Sequence, residues 1–161
     1  MVYAVLLLLL YVVQTTPGLF LFGGIKPLII IPASITIAMV EGEFVGGIYG
    51  AFAGLLCDTA GSSLLGFNGL FISFFCILSG LLVIYLLRCN LLGCMMFTGV
   101  TLLVRGSVEF LFAYGMWGHD GVWRIYVFYT LPTVAYTLAA TPLVFWAVRG
   151  IFRKFEKAIH P

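Results

Sequence analysis

Two stretches of this chain, 67–87 and 125–148, contain no charged residue, and a third, 91–114, contains only Arg105 and Glu109. At 1.5 Å of rise per helical residue each is long enough to cross a hydrocarbon core about 30 Å thick. Little else can absorb such runs in a chain of 161 residues. Hydrophobic residues make up 63% of it and charged ones 9%, against roughly a half and a quarter in soluble domains. A surface so poor in charge suits lipid. The net charge of +2 is too small to suggest nucleic-acid binding, which needs basic residues against many phosphates.

A further apolar run at 2–22 and two short ones at 25–40 and 44–57 bring the expected total to six transmembrane helices. The chain therefore reads as an all-α polytopic membrane protein, one integral membrane domain over 1–161 with a basic tail at 149–161. The first run is expected to bend or end near Pro17-Gly18, because proline removes a backbone donor, and its far half to be re-entrant or interfacial. No basic segment precedes it and no small-x-small cleavage site follows, so it reads as a retained helix and not a signal peptide. Glu41-Gly42-Glu43 marks a water-facing turn between the second and third runs.

Lysine and arginine set the orientation, since cytoplasmic loops carry their excess. With six spans both termini share a side. Placing that side in the cytoplasm puts Arg88, Arg149, Arg153, Lys154 and Lys157 inside, against Lys26 and Arg124 outside. The tail mixes aromatic and basic residues, as either a short helix lying on an anionic leaflet or a stop-transfer anchor would.

Gly42, Gly46, Gly50 and Gly54 recur every four residues, with Asp58 next at the same interval. Such a stripe shares one helix face and lets another backbone approach closely, which drives helix association in lipid. Its partner is either a neighbouring helix of this chain or another subunit. Asp58 opens a turn-rich segment that includes Gly66 and Asn68. There its carboxylate can accept loop amides while Asn68 caps the fourth helix; alternatively it lines a polar cavity or meets a partner. Arg105 and Glu109, four apart near the middle of the fifth span, are expected to neutralise each other facing the bundle interior.

Nothing in the pattern points to catalysis. His119-Asp120 are adjacent, so their side chains do not converge on one site, and no nucleophile accompanies them. Cys57, Cys76, Cys89 and Cys94 lie in or beside apolar runs and read as small hydrophobes without metal-site spacing. No cofactor and no metal is expected, and the chain reads as a non-enzyme.

Three segments resemble the bacterial rod shape-determining MreD family. They are Lys26-Pro27-Leu28, similar to that family's Pro-Asp-Leu but without the aspartate; the glycine-rich run ending Gly54-Leu55-Leu56-Cys57-Asp58; and Leu65-Gly66-Phe67-Asn68-Gly69-Leu70, similar to its Leu-Gly-x-x-x-Leu turn. The likeness covers about 26–80, and the rest agrees in hydropathy. It implies a non-enzymatic scaffold of the cell-wall elongation complex in the cytoplasmic (inner) membrane of a bacterium. The implied partners are an MreC-like protein and, through it, MreB, RodA and a class B penicillin-binding protein. It also implies a fold resembling the S component of energy-coupling-factor vitamin transporters, whose substrate-binding role is the alternative function. Such subunits carry an alanine-x-x-x-alanine motif on the first helix, where this chain has only Ala4. An independent channel or secondary transporter would call for inverted repeats or several mid-membrane polar residues.

Overall fold

The computed structural model describes residues 2–16, 28–60, 66–85, 90–111 and 122–159. Over these the chain forms six helices: α1 (Val2–Thr15), α2 (Ile30–Glu41), α3 (Glu43–Ala60), α4 (Phe67–Tyr85), α5 (Leu91–Phe110) and α6 (Val122–Ile159). They run alternately up and down, and α2 touches the other five. Three helical stretches are long and apolar enough to cross a membrane: Phe67–Tyr85, Leu91–Phe110 and Thr130–Phe152 within α6. The chain is a helical membrane protein.

The other three helices depart from six equal spans for separate reasons. With 12 residues, α2 is about 18 Å long, well short of the hydrocarbon thickness. It is also apolar all round, and Ile30, Ile31, Ile35 and Ile37 are wholly enclosed. A helix without a polar face belongs in the middle of a bundle, and the neighbours must supply its backbone partners because lipid cannot. They do so at its start. Gln14 Oε1 of α1 accepts from the Ile30 amide at 3.2 Å, and Thr137 Oγ1 of α6 accepts from the Leu28 amide at 3.2 Å. Pro32 sits in the first turn of α2, where its missing donor removes no helical bond. The helix begins at Ile30, five residues later than the sequence run suggested. In α1 the helix covers 14 residues, also short of a span. In α3, four internal glycines and the carboxylates Glu43 and Asp58 dilute an otherwise apolar helix.

α1 also lies against the α2–α3 hairpin through two side-chain hydrogen bonds and a ring contact. Tyr3 donates to Glu41 Oε1 at 2.6 Å and packs edge-on against Tyr49, while the Tyr11 and Thr59 hydroxyls are 2.9 Å apart. Between α2 and α3 the only break is Gly42. Its φ of +96° and ψ of 179° lie where only glycine is comfortable, and its amide still bonds Ala38 O at 3.0 Å.

The last helix differs most from expectation. It has 38 residues and carries the apolar window and the basic stretch as one unbroken helix, where a separate tail element was one of two readings. Pro132 and Pro142 lie inside it, tolerated as prolines are in membrane helices, where neighbouring groups re-satisfy freed carbonyls. Buried hydroxyls follow the same economy. Thr36, Thr101, Thr137 and Thr141 each donate to the carbonyl four residues back.

The outer faces are apolar. Leu70 is 79% exposed, Leu92 74% and Leu143 78%, an arrangement that only lipid makes sustainable. Several expectations lie outside the described residues: the Pro17-Gly18 bend, Lys26-Pro27, Arg88, Cys89 and the segment holding Trp117, His119 and Asp120. Nothing is described of the side chains of Arg124, Arg153, Lys154 or Lys157.

Candidate functional site

The glycine stripe is a packing device that serves two neighbours at once. A methyl group at Gly46 would overlap the Ala38 backbone of α2, with the Cβ 2.5 Å from Ala38 Cα. One and two turns on, the face has rotated towards α4. There a Cβ at Gly50 would lie 2.9 Å from the Cys76 side chain, and one at Gly54 would lie 2.5 Å from Gly69 Cα. Gly42 has the turn as its first role, and its backbone also lies against α4, 3.0 Å from where a Cβ at Gly80 would fall. All three packed glycines therefore meet helices of this same chain.

α4 answers with small residues of its own. Gly69, Ser73, Cys76 and Gly80 occupy one face, the Ser73 hydroxyl donates to Gly47 O at 2.9 Å, and a Cβ at Gly80 would fall 2.7 Å from Glu43 Cα. This second stripe is spaced four, three and four, without the strict interval of four that marks the stripe of α3 in the sequence.

At the upper end of this pair lies Asp58, in the last turn of α3 and only 2% exposed. Its Oδ2 accepts from the amides of Gly66 at 2.9 Å and Gly69 at 3.4 Å. Its Oδ1 accepts from the Asn68 amide at 3.3 Å and the Asn68 side-chain nitrogen at 2.8 Å. Gly66 begins α4: its φ is +93°, and its carbonyl accepts the first helical bond, from Leu70 N at 3.0 Å. The Asp58 carboxylate thus satisfies the orphan amides at the start of α4 and sits where the helix dipole favours negative charge. Asp58 caps α4 from another helix, and Asn68 is part of what it holds.

Asn68 carries the network to a third helix. Its Oδ1 accepts from Arg105 Nε at 2.6 Å, and Arg105 pairs with Glu109 at 3.3 Å. The side-chain amide is therefore oriented twice over, nitrogen to the carboxylate and oxygen to the guanidinium, so its dipole lies along the field between opposite charges. A flipped amide would face like poles at both ends.

The Arg105–Glu109 pair forms as the spacing implied, but with unequal partners. Within α5 as described (Leu91–Phe110) the pair lies in the last two turns, at the same end of the bundle as Asp58 and Asn68. The Arg105 side chain is 12% exposed and that of Glu109 47%. Arg105 faces the interior as expected, while Glu109 is half exposed. Asn68 and Arg105 are 37 residues apart, and no local pattern joins them. The signal that was available is that Asp58, Asn68 and Arg105 all fall at the same end of an alternating bundle.

Chemically this arrangement fixes helix ends. Every polar atom of Asp58 is engaged by a donor, and among the described residues no three His, Cys, Asp or Glu side chains converge as a metal site would require. Compared with protein-family models, with curated proteins and with solved structures, the chain matches none.

Proposed function

We propose that this chain is a non-enzymatic scaffold of the bacterial cell-wall elongation machinery, resembling the MreD family. It would lie in the inner membrane with all six helices at bilayer depth and both termini cytoplasmic. The observation that supports this reading is that the segments carrying the resemblance, 42–58 and 66–70, fold as one unit. They make the α3–α4 hairpin, sealed by glycine contacts along its length and by Asp58 at its end. A motif spent on rigidity serves a protein whose output is a fixed surface for partners. The partner would be a single-span MreC-like protein, linking the chain indirectly to MreB, RodA and a class B penicillin-binding protein.

Two measurements test this. Affinity purification from membranes in mild detergent is expected to retain elongation proteins, and depletion from a rod-shaped host is expected to give rounded cells in vitamin-rich medium. Rod-shaped depleted cells would overturn the proposal. Co-purification of a vitamin-sized ligand with an energising membrane protein and two ATPases would instead assign the chain to the S-component role.

A further inference from the structure

α6 leaves its apolar window at Phe152 and continues as helix to Ile159. Just before that boundary, Phe145, Trp146, Arg149 and Gly150 line an open depression of about 270 Å³. This is roughly the liquid volume of nine waters, enough for a phosphate group and part of its hydration. The Arg149 guanidinium lies 5.5 Å from the centre of the Phe145 ring, and among the described residues no carboxylate pairs with it. Gly150 leaves the space open, since a Cβ there would meet nothing within 4 Å. Trp146 is 76% exposed, an aromatic of the kind that settles at the level of lipid headgroups.

We propose that this depression binds the phosphate of an anionic lipid headgroup, with Arg149 as its cation and Trp146 against the adjoining glycerol and acyl region. A guanidinium offers paired donors to phosphate oxygens, and this one is already oriented by its contact with Phe145. The sequence after Arg149 is basic: Arg153, Lys154 and Lys157 follow it, with Glu156 the only acid. An anionic amphiphile suits the pairing of one cation with an exposed ring at the end of an apolar window. An acidic protein segment would leave that ring without an apolar partner.

The test is lipid retention by the full chain in nanodiscs of phosphatidylcholine with and without phosphatidylglycerol, read by native mass spectrometry and by the unfolding midpoint. The wild type is expected to retain phosphatidylglycerol preferentially and to unfold at a higher temperature with it. Arg149→Gln should retain about tenfold less, as the loss of one charge-assisted contact implies, and Arg149→Lys should keep part of the effect. Gly150→Leu puts a side chain into the depression at a position where a Cβ meets nothing within 4 Å and should lose retention while folding normally, so a poorly folded Arg149 variant would not obscure the result. Wild-type retention in both Arg149→Gln and Gly150→Leu would overturn the proposal. Equal stabilisation of phosphatidylcholine discs by inorganic phosphate or by polyglutamate would overturn the lipid assignment, in favour of a free anion or an acidic protein segment respectively.

Discussion

Asp58→Asn is expected to destabilise the protein in detergent by about 3 kcal/mol or more, because hydrogen bonds to a charged group contribute about 1.5–3 kcal/mol each and at least two are lost. The substitution keeps the side-chain shape, so the effect is electrostatic. Every contact of Asp58 is with a donor: the amides of Gly66, Asn68 and Gly69 and the Asn68 side-chain nitrogen. An asparagine must turn its own NH2 group towards one pair of these, leaving donors facing donors in a site that is 2% exposed. Arg105→Gln is expected to follow at about 1.5–3 kcal/mol, the contribution of a charge-assisted hydrogen bond, because the Glu109 charge it leaves behind is half exposed. It removes both the bond to Asn68 and the ion pair. Glu109→Gln should cost less than Asp58→Asn, since the side chain is half exposed and its amide oxygen can still accept from Arg105. From spacing alone, Arg105 and Glu109 would depend on each other equally. The structure makes Arg105 the member that also anchors α4. Equilibrium unfolding of the three variants decides the matter, and equal losses for Asp58→Asn and Glu109→Gln would refute the cap.

How far the sequence could be read depended on whether a feature was local. Long uncharged runs give helices whatever surrounds them, so α4, α5 and the apolar part of α6 fall where hydropathy places them. Arg105 and Glu109 meet because four residues of one helix bring them together, whatever the fold. By contrast, α2 is recognisable as a core helix only when its neighbours are known, because its buried start depends on Gln14 and Thr137, from helices that precede it and come last. The glycine interval names a helix face but not the occupant of that face. In this chain one stripe divides among a turn at Gly42, α2 at Gly46, and α4 at Gly50 and Gly54. The amide of Asn68, satisfied on one side by α3 and on the other by α5, is the least local feature of all. A capping role is legible from its place before an apolar run; the bond to Arg105 is not.

Gly54→Ala is expected to be nearly as damaging as the loss of the Asp58 charge, and for a connected reason. The new Cβ would fall 2.5 Å from Gly69 Cα, and the obstacle is backbone, which cannot rotate aside as a side chain does. Overpacking usually costs about 1–3 kcal/mol and occasionally more. Here the relief is for α4 to move away from α3, in a medium where close packing is what holds helices together. Asp58 lies one turn beyond Gly54 on the same face, and the residues struck, Asn68 and Gly69, are those whose amides it holds. Moving α4 outward therefore draws these donors from the carboxylate. The Gly54→Ala and Asp58→Asn losses should accordingly fall short of additive, because each variant disrupts a contact the other needs. Gly46→Ala supplies the contrast. It strikes Ala38 on α2 and lies twelve residues from Asp58, roughly 18 Å along the helix, beyond the distance at which separate sites usually couple. Combined with Asp58→Asn it should add in full. Thermal unfolding of the five variants and the wild type in one detergent measures both sums. A Gly54→Ala protein as stable as the wild type, or a Gly54→Ala/Asp58→Asn pair that adds as fully as Gly46→Ala/Asp58→Asn, would mean that the stripe and the cap act apart.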